Sequence, residues 1–258
     1  MSKNLKKIIK NIRINILKKT FQAQSSHIGS CFSIVELLSV LYFKKLKTND
    51  TFILSKGHAA LALYCLLYER KMLSKSELDN YGKNNSNLMA HASHRVNGIE
   101  FSTGSLGHGL PYAVGKALGE KKNKSKNNVY VLISDGELNE GTTWESFLFA
   151  SFHKLNNLFI IIDYNKIQSL DFVKNVMKIE PLEKKLTSFN LNVKKINGHD
   201  VNQIDSAINQ LKKKNNKPNI IIANTVKGKG VGFMENTILW HYKSPSNEQL
   251  ELALKELK

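Results

Sequence analysis

The second half of the chain alternates between short apolar runs rich in β-branched residues and longer segments with apolar residues at helical spacing. The runs predict four strands, at residues 128–133, 158–163, 193–196 and 219–224. Between them the spacing predicts three helices, at residues 143–154, 181–190 and 201–213. Such alternation is typical of βαβ units. We therefore expect an α/β fold with a doubly wound, mostly parallel sheet and helices on both faces.

The N-terminal segment is basic and amphipathic. Its apolar residues recur on one helical face, at Leu5, Ile8, Ile9, Ile12 and Ile16. This spacing predicts a helix over residues 3–20, which we interpret as a segment of about residues 1–20 that docks onto the rest of the protein. The segment lacks the continuous apolar core and the cleavage site of a secretory signal.

Capping boxes mark three further helix starts, at Ser33 with Glu36, Ser74 with Glu77 and Ser246 with Gln249. They predict a helix to about Lys45, a short helix after Ser74, and a C-terminal helix over about residues 246–258. Other predicted elements are a strand at Thr51–Leu54, a helix from His58 to about Lys71, a functional loop at 82–104 and a helix at 110–121. No linker divides the chain, so we expect residues 1–258 to form a single domain.

Composition places the chain among ordinary globular proteins, with 41% hydrophobic and 23% charged residues. The formal charge of +17 comes from lysines spread over nearly every polar stretch, beside Asn and Ile. Because no basic motif is interleaved with aromatic residues, we expect no specific nucleic-acid binding. The charge would attract phosphorylated, anionic substrates. No apolar run is long enough to span a bilayer. Cys31 and Cys65 are expected to be buried thiols in a reducing cytoplasm.

Polar side chains follow two of the predicted strands. Ser134-Asp135-Gly136 ends one apolar run, and Asp163-Tyr164-Asn165 ends the next. Loops that follow neighbouring parallel strands meet at the carboxyl edge of a sheet. There a carboxylate and an amide oxygen suit a hard cation such as Mg²⁺, which favours a phosphate partner. Asp-Gly is also a common turn dipeptide, so the pair alone leaves an ordinary turn as the alternative.

Four further segments resemble, together with this pair and in this order, the N-terminal part of transketolase, a thiamine diphosphate enzyme. They are Gln24–Ser30, Leu54–Ala59, Ser102–Leu110, and Val226–Gly230 followed by Trp240-His241. The resemblance covers about residues 20–245 and implies the thiamine diphosphate-binding fold. Because full-length transketolase continues into two more domains, the chain resembles the N-terminal subunit of a split transketolase.

The resemblance implies a cofactor site at the sheet edge. Asp135, the Asn165 side chain and the Ile167 carbonyl would hold Mg²⁺, or another divalent cation such as Ca²⁺ or Mn²⁺, against the diphosphate. Gly136, His58 and His241 would face the diphosphate as well. Gly104 and Leu106 would meet the aminopyrimidine ring. Ser134 stands where the family signature has Gly, Ser26 where Ser-Gly-His is usual, and His108 where Gln is commoner.

The resemblance also implies a substrate channel and an interface. His27, His91 and His241 would be catalytic, with His27 and His91 lining the channel near the reactive carbon and exchanging protons with sugar hydroxyls. His91 is chosen by counting back seven residues from Gly98, and His94 is the second candidate. Glu140 and Glu145 resemble interface acids that couple two cofactor sites, with a solvated acidic turn as the alternative. Lys227 and Lys229 either add positive charge to the site or belong to a mobile basic loop.

The implied reaction is the transfer of a two-carbon ketol unit from a ketose phosphate to an aldose, as in the pentose phosphate pathway. In the family, the glutamate that activates the cofactor and the sugar-phosphate clamp lie in domains this chain does not contain. We therefore expect little activity without a C-terminal partner, in an α₂β₂ assembly. Three alternatives stay open: a related thiamine diphosphate ketolase or 2-oxo acid decarboxylating subunit, a non-catalytic cofactor-binding module, and a basic nucleic-acid binder.

Overall fold

A computed structural model describes residues 3–213 and 216–257. Its centre is a five-stranded sheet in the order β1-β2-β3-β5-β4, and all four strand pairs are parallel. The strands are β1 (Thr51–Leu54), β2 (Val129–Ser134), β3 (Leu158–Tyr164), β4 (Asn192–Asn197) and β5 (Asn219–Asn224). The predicted α/β class and parallel sheet are confirmed.

Eleven α-helices are assigned within the described ranges, and several cover the two faces of the sheet. In chain order they are α1 (Lys3–Ala23), α2 (Ile28–Phe32), α3 (Val35–Val40), α4 (Ala60–Glu69), α5 (Lys75–Asp79), α6 (Gly109–Lys122), α7 (Gly141–Phe152), α8 (Val173–Val176), α9 (Leu182–Ser188), α10 (Val201–Lys212) and α11 (Asn247–Glu256). Residues 82–104 contain no helix or strand, as the polar composition predicted.

Strand residues alternate between two hydrophobic clusters. In β2, Tyr130 and Leu132 face the cluster that includes α1, α3, α4 and α10, whereas Val131 and Ile133 face the cluster formed with α6, α7 and α9. Both faces of β2, β3 and most of β5 are buried, which explains why these strands read as continuous apolar runs. The edge strand β4 instead carries Lys194 and Lys195, which protect the edge from pairing with another chain.

One predicted helix start is wrong. The helix α3 begins at Val35 with Ile34 as its N-cap, and no side chain caps it. The Ser33 hydroxyl donates to the Ser30 carbonyl at 3.0 Å and to buried Asp163 at 2.7 Å. The Glu36 carboxylate instead pairs with Arg13. Both side chains of the predicted capping box are therefore bonded to residues elsewhere in the fold. The boxes at Ser74 and Ser246 are both present.

Candidate functional site

A cleft of about 360 Å³ lies at the carboxyl edge of the sheet, where the loops after β1, β2 and β3 meet. Its walls also include His27, just before α2, and His241, near the C-terminus. The side chains that line it are mostly polar or small: His27, Ser30, Lys56, His58, His91, Gly104, Leu106, Ser134, Asp135, Gly136, Asn139, Glu140, Asn165, Ile167, Gln168, Ser169 and His241.

Four histidines form a cluster centred on His27. Its ring centroid lies 5.3 Å from that of His58, 5.8 Å from that of His91 and 5.1 Å from that of His241. His27 has a left-handed backbone, with φ of 72°, and its N–H donates to the His241 carbonyl at 2.8 Å. This bond joins segments more than two hundred residues apart. The local conformation is unfavourable for a side chain with a Cβ, so the surrounding contacts must hold it.

Three rings of the cluster, those of His27, His58 and His241, have lowered pKa values and are neutral near physiological pH. Burial, with added repulsion from nearby His91, Lys227 and Lys56, lowers the pKa of His27 to about 4. Burial and the charge of Lys227 lower the pKa of His241 to about 3. Burial and neighbouring Lys56 also place the pKa of His58 well below its ordinary value. These rings can therefore accept or donate hydrogen bonds without carrying a charge.

Beneath the cluster, buried Asp163 at the end of β3 is a hydrogen-bond hub. Lys56 forms an ion pair with its carboxylate, and the hydroxyls of Ser33 and Thr225 donate to it. The Asn165 amide nitrogen donates to the same carboxylate at 2.9 Å. Burial alone would raise the pKa of Asp163, but Lys56 and the hydroxyls outweigh it and lower that pKa. The hub fixes the orientation of the Asn165 side chain, because its amide nitrogen is held on Asp163.

The predicted metal ligands lie together in the cleft. Asp135 accepts a hydrogen bond from the Lys166 backbone N–H at 2.6 Å. The Asn165 side-chain oxygen accepts from the Ile167 N–H at 3.1 Å, which forms a tight turn. Burial, together with the charge of Asp163, raises the pKa of Asp135 to about 7. Buried Asp135 thus holds a negative charge less readily than an ordinary carboxyl, even with Lys56 and Lys227 nearby.

Lys227 lies next to the Ile167 carbonyl, one of the predicted metal ligands. Its ammonium donates to the carbonyl oxygens of Ile167 and Gln168, at 3.1 Å each, and to His241 Nδ1 at 2.7 Å. The side chain is 1% exposed. It is therefore a fixed part of the site, whereas Lys229 pairs with Glu235 at the surface at 3.1 Å. The mobile-loop interpretation of Lys227 is thus incompatible with its buried contacts.

The carboxylate of Glu137 ties three loops of the site together. It accepts from the Ser55 hydroxyl, from the Gly107 N–H at 3.2 Å and from the Ser134 N–H at 2.8 Å. Ser134 also accepts from the Glu137 N–H through its hydroxyl, at 3.3 Å. Serine in place of the family's first signature glycine is accommodated in this way. The Glu137 bonds thus link the segments that carry His58, Leu106 and Asp135.

Two side-chain amides leave unused hydrogen-bonding capacity in the cleft. Asn139 donates to the Gln168 side-chain oxygen at 3.4 Å, joining the loops after β2 and β3. Gln168 Nε2 and Asn139 Oδ1 are buried and lack partners within the described part of the chain. A buried polar atom without a partner is costly, so these two atoms favour a ligand that supplies both an acceptor and a donor.

Most of the predicted site residues meet in this one cleft. They are His27, His58, His91, Gly104, Leu106, Asp135, Gly136, Glu140, Asn165, Ile167 and His241. His94 lies outside, where its Nδ1 contacts the Ser102 hydroxyl at 2.7 Å, and His108 is exposed at the start of α6. Glu145 is exposed on α7. Their roles stay predictions.

Sequence reasoning missed three buried charged residues that organise the cleft, Lys56, Glu137 and Asp163. A signal existed for two of them. Lys56 lies two residues after a predicted strand, and Asp163 ends another, where side chains face the sheet's carboxyl edge. Glu137 gives no comparable signal, because its three partners are distant along the chain or in the backbone.

Within residues 3–213 and 216–257, no group of three or more His, Cys, Asp or Glu side chains is arranged to hold a metal ion. The predicted ligands are the Asp135 carboxylate, the Asn165 amide and the Ile167 carbonyl. Only Asp135 is of these four side-chain types, so the three would not form such a group. In the same part of the chain, no helix combines the length and apolar character that crossing a membrane requires.

Comparison with known protein families agrees with this geometry. Residues 4–256 match the family described as transketolase, thiamine diphosphate binding domain. The chain is 42% identical over 242 residues to one subunit of the apulose-4-phosphate transketolase of Actinobacillus succinogenes, covering 90% of this chain and 87% of that protein. It is 36% identical to a 6-deoxy-6-sulfo-D-fructose transketolase subunit of a Clostridium species, covering 90% and 88%.

Solved structures extend the comparison to longer proteins. The structure is similar to transketolase from Campylobacter jejuni, with a TM-score of 0.89 and 30% identity over 98% of this chain and 42% of that one. It also matches a transketolase variant from Pichia stipitis, with a TM-score of 0.93 and 26% identity over 99% and 41%. This chain therefore spans about two fifths of the length of these transketolases.

Proposed function

The chain belongs to the transketolase family, and from this premise we propose that it is the cofactor-binding subunit of a split transketolase. With a separate C-terminal subunit, it would transfer a two-carbon ketol unit from a ketose phosphate to an aldose. One observation carries the proposal: three neutral histidines, the Asp135–Asn165 pair and Lys56 line a single cleft, and buried Lys227 contacts its wall at Ile167 and His241.

The residues of this cleft fit thiamine diphosphate with a divalent cation. Asp135, Asn165 and the Ile167 carbonyl offer hard oxygen ligands of the kind Mg²⁺ prefers. A cation would offset the burial and the repulsion from Asp163 that together raise the pKa of Asp135 to about 7. Gly136 leaves space at the cleft wall, since an added Cβ would come no closer than 3.8 Å to its neighbours. The unpartnered Gln168 Nε2 would find an acceptor in the diphosphate.

Thiamine diphosphate, when bound, supplies the nucleophilic carbon and the electron sink for breaking a carbon–carbon bond. The residues of this chain would position the reactants. His27 and His91 would hydrogen-bond sugar hydroxyls, and the low pKa of His27 keeps its ring neutral, so that its unprotonated nitrogen can accept a hydrogen bond from a hydroxyl. His58 and His241 would donate to the diphosphate. Gly104 and Leu106 would contact the pyrimidine ring.

A separate partner chain is supported by an exposed apolar face on α7. Leu148, Phe149 and Phe152 are 59%, 44% and 80% exposed and lie at helical spacing with Glu145. Large apolar patches on a protein surface mark interaction sites. Glu140 and Glu145 would belong to this interface, and an α₂β₂ assembly would bring the missing activating glutamate to the cofactor. Two relatives named for apulose 4-phosphate are themselves called transketolase subunits, which is consistent with a divided enzyme.

The proposal for the sugar substrate rests on the names of two relatives. Relatives are named for apulose 4-phosphate and for 6-deoxy-6-sulfo-D-fructose, so we propose a phosphorylated or sulfonated ketose as donor. A role in the pentose phosphate pathway is one version of this proposal. The buried, unpaired thiols of Cys31 and Cys65 support a cytoplasmic location.

Calorimetric binding of thiamine diphosphate with Mg²⁺ tests the cofactor assignment. Mixed with its C-terminal partner, the protein should bind the cofactor only when the metal is present, and Asp135→Ala should abolish binding because it removes the carboxylate ligand. The matched control is Asp205→Ala. Asp205 lies on α10, and its carboxylate pairs with Lys45. Equal, metal-independent binding by both variants would contradict the assignment.

A non-catalytic cofactor module is the second candidate, because the glutamate that activates the cofactor is expected on the partner rather than on this chain. It differs from the enzyme in one respect: metal-dependent binding would persist, but ketol transfer would be absent even with the partner. A related thiamine diphosphate enzyme would instead consume a 2-oxo acid. Assays with a ketose phosphate and with a 2-oxo acid separate the two reactions.

A further inference from the structure

Lys227 has no hydrogen left for a ligand. A lysine ammonium carries three donors. In this cleft they are directed at the Ile167 carbonyl, the Gln168 carbonyl and His241 Nδ1, at 3.1, 3.1 and 2.7 Å. A buried positive charge beside a candidate diphosphate site suggests a direct phosphate contact. The geometry favours another role, because each donor already has an acceptor within the chain.

The contact with His241 determines where that ring carries its proton. An ammonium cannot accept a hydrogen bond, so Nδ1 of His241 must offer its lone pair to Lys227. In a neutral imidazole the hydrogen then resides on Nε2. Backbone contacts also fix the segment, since the His241 N–H donates to the Ile238 carbonyl at 2.8 Å and its carbonyl accepts from His27.

We propose that Lys227 is a positioning residue that holds His241 as the neutral tautomer with its proton on Nε2, ready to donate to an anionic oxygen in the cleft. The same ammonium holds the Ile167–Gln168 turn, so one side chain aligns His241 with a carbonyl expected to bind metal. The tautomer is a property of the chain itself. Its use toward a diphosphate rests on the proposed function.

The surroundings of His241 keep the ring neutral. The titratable groups that face it are Lys227, Lys56, and the rings of His27 and His58, whose centroids lie 5.1 and 5.7 Å away. Tyr242 lies beside it at 4.9 Å. Burial, followed by the positive charges of Lys227 and Lys56, opposes a second proton on the ring. The three acceptors around Lys227 Nζ, two carbonyl oxygens and His241 Nδ1, match the three hydrogens of an ammonium.

Nitrogen-15 NMR of the histidine rings in the full chain tests the proposal near pH 6, with the His241 signals assigned from their loss in His241→Gln. In the unaltered chain, Nδ1 should resonate as an unprotonated, hydrogen-bonded nitrogen and Nε2 as a protonated one. In Lys227→Met, which keeps the apolar stem, the two signals should move toward each other as tautomers or charge states mix. A protonated Nδ1 in the unaltered chain would overturn the proposal without any Lys227 variant.

Lys229→Met is the matched control, because Lys229 lies on the same loop but pairs with Glu235 at the surface. It should leave both His241 signals in place. Lys227→Arg restores a charged donor and should return the signals toward their original separation, which a general loss of structure would not do. Unchanged, well-separated signals in a folded Lys227→Met chain would refute the positioning role.

Cofactor binding provides a second, separable readout. Lys227→Met should weaken calorimetric binding of thiamine diphosphate with Mg²⁺ to the assembled protein about 10-fold, in line with the loss of one hydrogen bond to a charged group. Lys229→Met should not. If the unaltered protein shows the expected tautomer but binds no cofactor, the proposed function fails and the positioning role stands. If it binds cofactor with Nδ1 protonated, the positioning role fails alone.

Discussion

At the scale of single residues, Gly136 in the cleft and Gly57 next to the cleft residue His58 lack a side chain for opposite reasons. A Cβ at Gly57 would come within 2.5 Å of the Thr103 carbonyl oxygen, so the folded chain itself excludes it. At Gly136 a Cβ would meet only ordinary contacts at 3.8 Å. Folding therefore requires glycine at position 57, whereas at position 136 the space is free for a ligand.

Gly136→Ala should accordingly leave stability almost unchanged and weaken binding of thiamine diphosphate with Mg²⁺, because the added methyl group occupies the cleft wall. Gly57→Ala should lower the free energy of unfolding by about 1–3 kcal/mol, since the new Cβ clashes with backbone. Urea unfolding and calorimetric binding separate the two effects. A Gly136→Ala protein with full cofactor affinity would show that the diphosphate lies elsewhere.

The sequence identified the site residues that belong to short local motifs. It missed residues whose role depends on contacts with other segments of the chain. Asp135 and Asn165 follow recognisable strands, and the structure brings them into one cleft. Lys56 and Glu137 depend on contacts with segments far along the chain, such as the Lys56 pair with Asp163. A lysine after a strand is ordinary in a chain with 38 Lys and Arg residues, so composition concealed it.

At the scale of elements, the N-terminal helix is fastened by one buried ion pair. Arg13 on α1 donates from both terminal nitrogens to the two oxygens of Glu36 on α3, each at 2.8 Å. Its Nε also donates to the Lys229 carbonyl at 2.9 Å, on the loop that carries Lys227. His199 contacts Glu36 at 3.0 Å from the other side. The Arg13–Glu36 pair is therefore a specific contact through which the N-terminal segment docks onto the rest of the protein.

Glu36 should make stability depend on pH. Burial alone would raise the pKa of Glu36, but the bond from His199 and the charge of Arg13 lower it from 4.5 to about 2. A carboxyl with a depressed folded-state pKa stabilises the protein fully above its unfolded value. That contribution, about 3 kcal/mol, is lost as pH falls from about 4.5 towards 2.

Glu36→Gln tests this in urea unfolding experiments between pH 6 and 3. The variant should be less stable than the original chain at pH 6, and the difference should shrink as pH falls through the window. Glu251→Gln, at an exposed position on α11, is the control and should track the original chain throughout. A difference that stays constant with pH would mean that Glu36 contributes through shape rather than charge.

At the scale of the whole molecule, the chain carries the candidate cofactor cleft and an exposed apolar face on α7. Phe152, the last residue of α7, is 80% exposed, and the helix begins directly after Glu140 of the cleft. Both features are expected of a subunit that requires a partner. Leu252 on α11, 52% exposed, belongs to the opposite face of the sheet and serves as a comparison.

Phe152→Asp should prevent assembly with the C-terminal subunit and abolish ketol transfer, because a charge would be buried in the interface. The variant chain alone should unfold at nearly the same urea concentration, since the side chain is exposed. Leu252→Asp should assemble normally. Sedimentation of the mixed subunits measures assembly; robust ketol transfer by this chain without any partner would remove the basis for the prediction.

The sequence by itself determined the α/β class, the strands and the family, because apolar periodicity and short motifs are local properties of the chain. Tertiary structure alone decided that the Ser33 hydroxyl serves Asp163 rather than a helix cap. It also decided that Lys227 is a buried donor to His241 rather than a surface charge. The physical reason is common to both: the energy of a buried polar group depends on its partners, and those partners lie far away along the sequence.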